Sequence, residues 1–188
     1  MQNKAVGLGT LDAKIIFYIR NCPPLAHYQN LTSVKALVAD EITDIVRETG
    51  NHWRKIFNVF AKLLFEISPE QFTSWQHLRD SLLLQAESNH CLLFSAPDLS
   101  EANFSEANLL SAKPSQKLHI ILGKGYAEQL GFCNSCLWLS HDFAINIDLS
   151  VIICPYFDYR QLSNKKITQL SGLIQQLTAH QIQSKVNG

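Results

Sequence analysis

The sequence predicts an α/β fold, a three-layer α/β/α sandwich with a mainly parallel central sheet, on three observations. Short β-branched runs that are apolar on both faces, such as Lys14 to Ile19 (KIIFYI) and Val151 to Cys154 (VIIC), read as strands buried in the middle of a sheet. Stretches with apolar residues three and four apart lie between those runs and read as amphipathic helices. The connections are long enough to carry a helix back over the sheet, as parallel pairing requires. With 188 residues, 46% of them hydrophobic, the chain can build one core, so residues 1–188 are expected to form a single domain.

In chain order, residues 1–13 contain glycines and show little patterning, and read as a loose N-terminal arm. The strand at Lys14 to Ile19 follows. Pro23 and Pro24 then bar both helix and ladder, so the chain turns away at the carboxyl end of that strand. Val34, Leu37, Val38, Ile42, Ile45 and Val46 step by three and four, one face of a helix that Gly50 ends. Asn51 is placed to cap a second helix, whose stripe of Trp53, Ile56, Phe57, Phe60, Leu63, Leu64 and Ile67 belongs to the core. Ser68-Pro69-Glu70-Gln71 has the form of a capping box opening a third helix, which turns Phe72, Trp75, Leu78 and Leu82 inward. Strands are expected at Cys91 to Ser95, Lys117 to Leu122, Cys136 to Leu139 and Val151 to Cys154. A short helix should run between Gly123 and Gly131, and a long one from Lys165 to about residue 183.

Charge narrows the function. Sixteen basic and sixteen acidic residues balance, so no global field draws nucleic acid or an anionic membrane to the chain, and any nucleic-acid contact has to be local. Cysteines at 22, 91, 133, 136 and 154 are odd in number and scattered, which reads as buried thiols in a reducing compartment rather than a disulfide framework. No apolar run approaches the roughly 18 residues of a membrane span and the first residues lack a signal-peptide pattern, so a cytoplasmic protein without a membrane partner is expected.

Several local patterns are better explained without chemistry. Cys133-Asn134-Ser135-Cys136 has the spacing of a zinc half-site or redox pair, but a second ligand pair is missing. The seven histidines form no metal-binding helical pair, Gly123-Lys124-Gly125 falls short of a phosphate-binding loop, and no G-x-S-x-G elbow occurs. No cofactor and no metal is therefore expected. Asp98 to Ala112 repeats Leu99, Phe104 and Leu109 every five residues and resembles the unit of pentapeptide-repeat proteins. Three such units cannot complete a stacked coil, so it reads as a local duplication.

Two loops remain, Arg20 to Leu25 and Cys154 to Asn164. Both leave the carboxyl ends of strands, where open α/β sheets form their clefts. The first offers Asn21, Cys22 and His27. The second offers Tyr156, Phe157, Asp158, Tyr159 and Arg160, aromatic rings for stacking on a base and a guanidinium for a phosphate. The bland reading is a pair of surface turns with rings closing the end of the core.

Taken together, these segments resemble the uracil-DNA glycosylase superfamily. Ile19-Arg20-Asn21-Cys22-Pro23-Pro24 lies where that family carries its first motif. Gly50-Asn51-His52-Trp53-Arg54-Lys55-Ile56-Phe57 is similar to its helix-opening stretch, and Leu122-Gly123-Lys124-Gly125-Tyr126-Ala127 to its strand-to-helix turn. Cys154-Pro155-Tyr156 opens the segment that stands for its groove-gripping loop. The resemblance implies a parallel four-stranded sandwich and N-glycosidic hydrolysis of a base. In that reaction Asn21 would orient a water, and Cys154 would occupy the position of the donor to the departing base. Cys22, Tyr156, Phe157, Tyr159 and Arg160 would bind the substrate, and the implied partner is DNA or a nucleobase-containing ligand. Two alternatives stay open: a protein-interaction module that kept the fold and lost the site, and a thiol pair formed by Cys22 and Cys154 across the cleft.

Overall fold

The computed structural model describes residues 4–99 and 117–186, with side chains up to residue 179. The duplicated stretch lies, from residue 100 onward, outside the described residues. The fold is α/β, with an eight-stranded sheet and six α-helices among the described residues. The strands are β1 (Gly7–Gly9), β2 (Ile15–Tyr18), β3 (Val34–Lys35), β4 (Cys91–Leu93), β5 (Leu118–Leu122), β6 (Leu137–Trp138), β7 (Ala144–Asn146) and β8 (Val151–Cys154). The helices are α1 (Ala26–Gln29), α2 (Glu41–Thr49), α3 (Asn51–Ile67), α4 (Trp75–Ser81), α5 (Lys124–Gln129) and α6 (Asn164–Val186).

The strand order is β3-β1-β4-β2-β5-β8-β7-β6. Its centre, β4-β2-β5-β8, is parallel throughout, in register Ile16↔Cys91, Ile16↔His119 and His119↔Val151. The sheet as a whole is mixed rather than mainly parallel, because β1 runs antiparallel to β4, and β7 antiparallel to both β8 and β6. Connection length explains the second departure: the short links from β6 to β7 and from β7 to β8 have no room for a crossover, so only antiparallel pairing closes them.

Alternation along the central strands divides the core. Phe17, Ile120, Leu122, Ile152 and Cys154 join α3 and α6 residues in the largest buried cluster, whereas Ile16, Tyr18, Ile121 and Ile153 face the other way, the last two packing with Ala127 of α5. The predicted stripe of α3 is buried at Trp53, Ile56, Phe57, Phe60 and Leu63, and α6 contributes Ile167, Leu170, Ile174 and Leu177. The periodicity reading holds for both helices, because the residues three and four apart enter the same cluster as the sheet, while α3, packed between α2, α4 and α6, also buries Val59 and Ala61.

Elsewhere local context overrides the pattern. The arm expected to be loose supplies β1, with Leu8 fully buried. The helix expected from Val34 begins only at Glu41: Val34 and Lys35 pair with Gly7 and Leu8, and Leu37 N–H donates to the Leu84 carbonyl at 2.9 Å. Asp40, at φ 66°, then turns the chain. The Glu41 carboxylate closes that start, accepting the Tyr28 hydroxyl at 2.5 Å, the Val38 N–H at 2.9 Å and the Lys35 ammonium. Asn51 is the first residue of α3 rather than its cap, which is Gly50. Ser68 makes no side-chain cap bond, and Pro69–Gln71 form a single 3-10 turn. The next helix waits for Ser74, whose Oγ accepts the His77 N–H at 3.1 Å. At the sheet edge, β6 is shorter than expected and leaves Leu137 67% exposed.

Candidate functional site

Parallel pairing brings the carboxyl ends of β2, β5 and β8 side by side, and the two loops singled out above leave from the outer two. The loop after β8 is pinned from below. Phe157 is 0% exposed and packs on Phe17 and Phe60, with ring centroids 5.9 and 5.5 Å away. Leu162 is buried as well, and Gln161 and Leu162 both donate to the Asp158 carbonyl at 2.8 Å. These anchors hold Asp158, Tyr159 and Arg160 between them, with Tyr156 just before the first, at the surface end of the core.

Tyr156 is the junction of the site. Its hydroxyl lies 3.0 Å from His52 Nε2, and the Asn21 side chain is near enough to favour its ionised form. A hydrogen bond therefore links the loop after β8 to the first turn of α3, with Asn21 of the loop after β2 beside it. Burial pushes the phenol above its ordinary pKa, the Asn21 side chain opposes that, and the charge of Asp158 adds to it, so the group stays protonated at neutral pH. Gly123, at φ 100°, carries the strand-to-helix turn beneath the same ring, and a Cβ there would lie 3.8 Å from Tyr156.

Beside this chain sits a charged pair. Lys55 Nζ lies 3.0 Å from Asp158 Oδ2 and 4.9 Å from the centre of the Tyr159 ring, while the Arg160 N–H donates to Asp158 Oδ1 at 2.9 Å. Burial works to raise the Asp158 pKa, but the Arg160 N–H and the Lys55 ammonium outweigh it and hold the carboxyl below its ordinary range. Tyr159 and Arg160 are exposed, with the guanidinium 6.0 Å from the Tyr159 ring centre. Arg54 and Lys165 are exposed too, with no ion-pair partner among the described residues. Lys166, by contrast, pairs with Asp142 at 2.9 Å.

The structure thus gathers Asn21, Tyr156, Tyr159 and Arg160, and holds the half-buried Cys22 next to Asn21. Two expected members turn the other way. Cys154 is 1% exposed in the main core cluster, where burial pushes its thiol pKa up, so it has no surface from which to donate to a ligand or pair with Cys22. Phe157 is an anchor inside the core rather than a ring for stacking. The alternation that buries Ile152 also buries Cys154, and the chain turns outward only at Tyr156.

Sequence reasoning missed His52 as a member of the site, and offers Lys55 only as one of five basic residues, with Arg54, Arg160, Lys165 and Lys166, that could assemble a local patch. The signal for His52 and Lys55 was present in Gly50-Asn51-His52-Trp53-Arg54-Lys55: a helix start with buried Trp53 sets its neighbours toward the sheet's carboxyl edge. The Cys133 and Cys136 pair lies apart, around a 3-10 turn at Phe132–Asn134, with Cys133 Sγ directed to the Lys124 carbonyl at 3.9 Å. In the comparisons with known proteins, residues 6–175 match the model of a family of unknown function (DUF6942). No curated protein and no solved structure matches the chain.

Proposed function

The chain belongs to this family of unknown function, DUF6942, and from that premise we propose that it is a uracil-DNA-glycosylase-like α/β/α protein whose cleft binds a nucleobase. The ligand is a free base, a nucleotide or a single-stranded nucleic acid. The observation that carries this reading is the meeting of Asn21, Tyr156 and His52 at the carboxyl ends of β2 and β8, where His52 Nε2 lies 3.0 Å from the Tyr156 hydroxyl, with Tyr159, Arg160 and Lys55 on the rim. A carboxamide and a neutral phenol match the donor and acceptor edge of a base. An exposed ring beside a guanidinium suits stacking and a phosphate. The parallel centre of four strands, with α3 and α6 on one face and α5 on the other, supports the sandwich arrangement.

Hydrolysis of the glycosidic bond would need a positioned water and a donor to the departing base. Asn21 would orient the water. The donor in this reading is His52 or the Tyr156 hydroxyl, since Cys154 is enclosed.

A second reading, a protein-interaction module, draws on a different surface: Leu137, Leu139 and Ile147 are exposed apolar side chains around β6 and β7. One experiment separates the two. Labelled single- and double-stranded DNA carrying uracil or a mismatch is assayed for binding and abasic-site formation, at low and at raised salt. The nucleobase reading expects binding that weakens with salt and is lost in Asn21→Ala. Absence of binding at low salt, both of these strands and of free uracil and its nucleotide, would sink it and leave the interaction module.

A further inference from the structure

At the opposite, amino end of β2 lies a cavity of about 480 Å³, between the last turns of α3, the segment up to α4 and the loop entering β4. This is within the roughly 300–1,000 Å³ typical of small-molecule sites. Its wall includes Phe17, Leu64 and Phe72, and its lining also includes Asp12, Lys14 and His90. Asp12 and Lys14 are exposed, which puts them at the mouth, and neither has an ion-pair partner among the described residues. His90 Nδ1 accepts the Leu84 N–H at 3.4 Å, so the neutral ring carries its proton on Nε2 and can donate from there. Burial lowers the His90 pKa to about 4, which keeps that ring neutral at physiological pH.

A chamber that sets Phe17, Leu64 and Phe72 beside Ser68, Gln71, Asn89 and His90, and whose mouth bears one charge of each sign, suits a zwitterion with an apolar body, because each charged end of such a ligand meets a group of opposite sign. We propose that this cavity binds a free amino acid with a large apolar side chain. The side chain lies against Phe17, Leu64 and Phe72, the carboxylate meets Lys14 and His90, and the ammonium group meets Asp12. The site is independent of the nucleobase cleft, which occupies the other end of the same strand.

The test is calorimetric titration of the full chain with L-phenylalanine, 3-phenylpropionate and phenethylamine, which share a ring and differ in charge. Phenylalanine should bind, and each analogue should bind at least about tenfold more weakly. Lys14→Met should weaken phenylalanine and phenylpropionate but not phenethylamine. Asp12→Asn should weaken phenylalanine and phenethylamine but not phenylpropionate. Both residues are exposed, so these variants keep the test valid even if Leu64→Trp, designed to fill the chamber and abolish binding, does not fold. No phenylalanine binding at about 10 mM overturns the proposal. Phenylpropionate binding as tight as phenylalanine overturns it too, as does binding that survives in a folded Leu64→Trp protein. Phenylalanine binding unchanged in Asn21→Ala is expected whatever becomes of the nucleobase reading.

Discussion

Tyr156 shows how much one hydroxyl can organise, since it bonds His52 and sits beside the Asn21 side chain. Tyr156→Phe keeps the ring and removes the link. A typical hydrogen bond contributes about 0.5–1.5 kcal/mol, so binding of a uracil-containing single strand should weaken by roughly 3- to 10-fold in fluorescence anisotropy while the unfolding midpoint barely moves. An unchanged affinity would remove Tyr156 from the site. Thiol chemistry is a second check at this scale. Burial pushes Cys91 up to about 12 and Cys154 upward as well, so native alkylation followed by mass spectrometry should label Cys22, Cys133 and Cys136 first. Early labelling of Cys154 would show that the end of β8 is open. The loop residues were recognisable from their composition, but which of them face inward was not. That direction depends on where β8 stops: Cys154 is its last residue and stays in the core, and Phe157, three residues beyond, turns back into it.

Glycine at the level of the element was the most misleading signal. In β1 it marks contact rather than looseness: a Cβ on Gly9 would lie 2.0 Å from the His90 carbonyl oxygen, and one on Gly7 would lie 2.2 Å from that of Leu92. Gly9→Ala should therefore destabilise the fold by about 2–3 kcal/mol or more in denaturant titration. Gly125→Ala, within α5 and with nothing within 4 Å of its Cβ, should instead be neutral or stabilising by up to about 1 kcal/mol. Equal effects at the two positions would refute the close approach of β1 to β4. The Val34 to Val46 stretch failed for a related reason. Helical spacing and a strand entering a helix place the same apolar residues similarly, and the carboxylate of Glu41, three residues after Val38, decides where the helix begins.

Across the whole molecule, two buried histidines tie stability to pH. His90 is lowered to about 4 by burial, and His119 to about 4 by burial and then by the charge of Lys117. His119 is also joined to the Tyr18 hydroxyl at 2.8 Å. With folded pKa values below the ordinary 6.5, the unfolded chain takes up protons first as the solution is acidified. Their contribution is thus complete above pH 6.5 and is lost as pH falls toward 4, by roughly 3 kcal/mol for each histidine. Denaturant titrations from pH 7 to 4.5 should show that decline, and a His90→Gln/His119→Gln double variant should flatten it. A slope the double variant leaves unchanged would assign the decline to other groups.

The amino-acid order alone determined the α/β class, the positions of β2, β5 and β8, the faces of α3 and α6, and the two loops at carboxyl strand ends, because each depends on periodicity or on proline and glycine within a few residues. Only the tertiary structure decided the mixed sheet, the recruitment of β1 and β3, the enclosure of Cys154 and the meeting of His52 with Tyr156. Those features join residues far apart in the chain, 104 positions for His52 and Tyr156, and pairing over such distances is set by the packing of the whole core rather than by any local pattern.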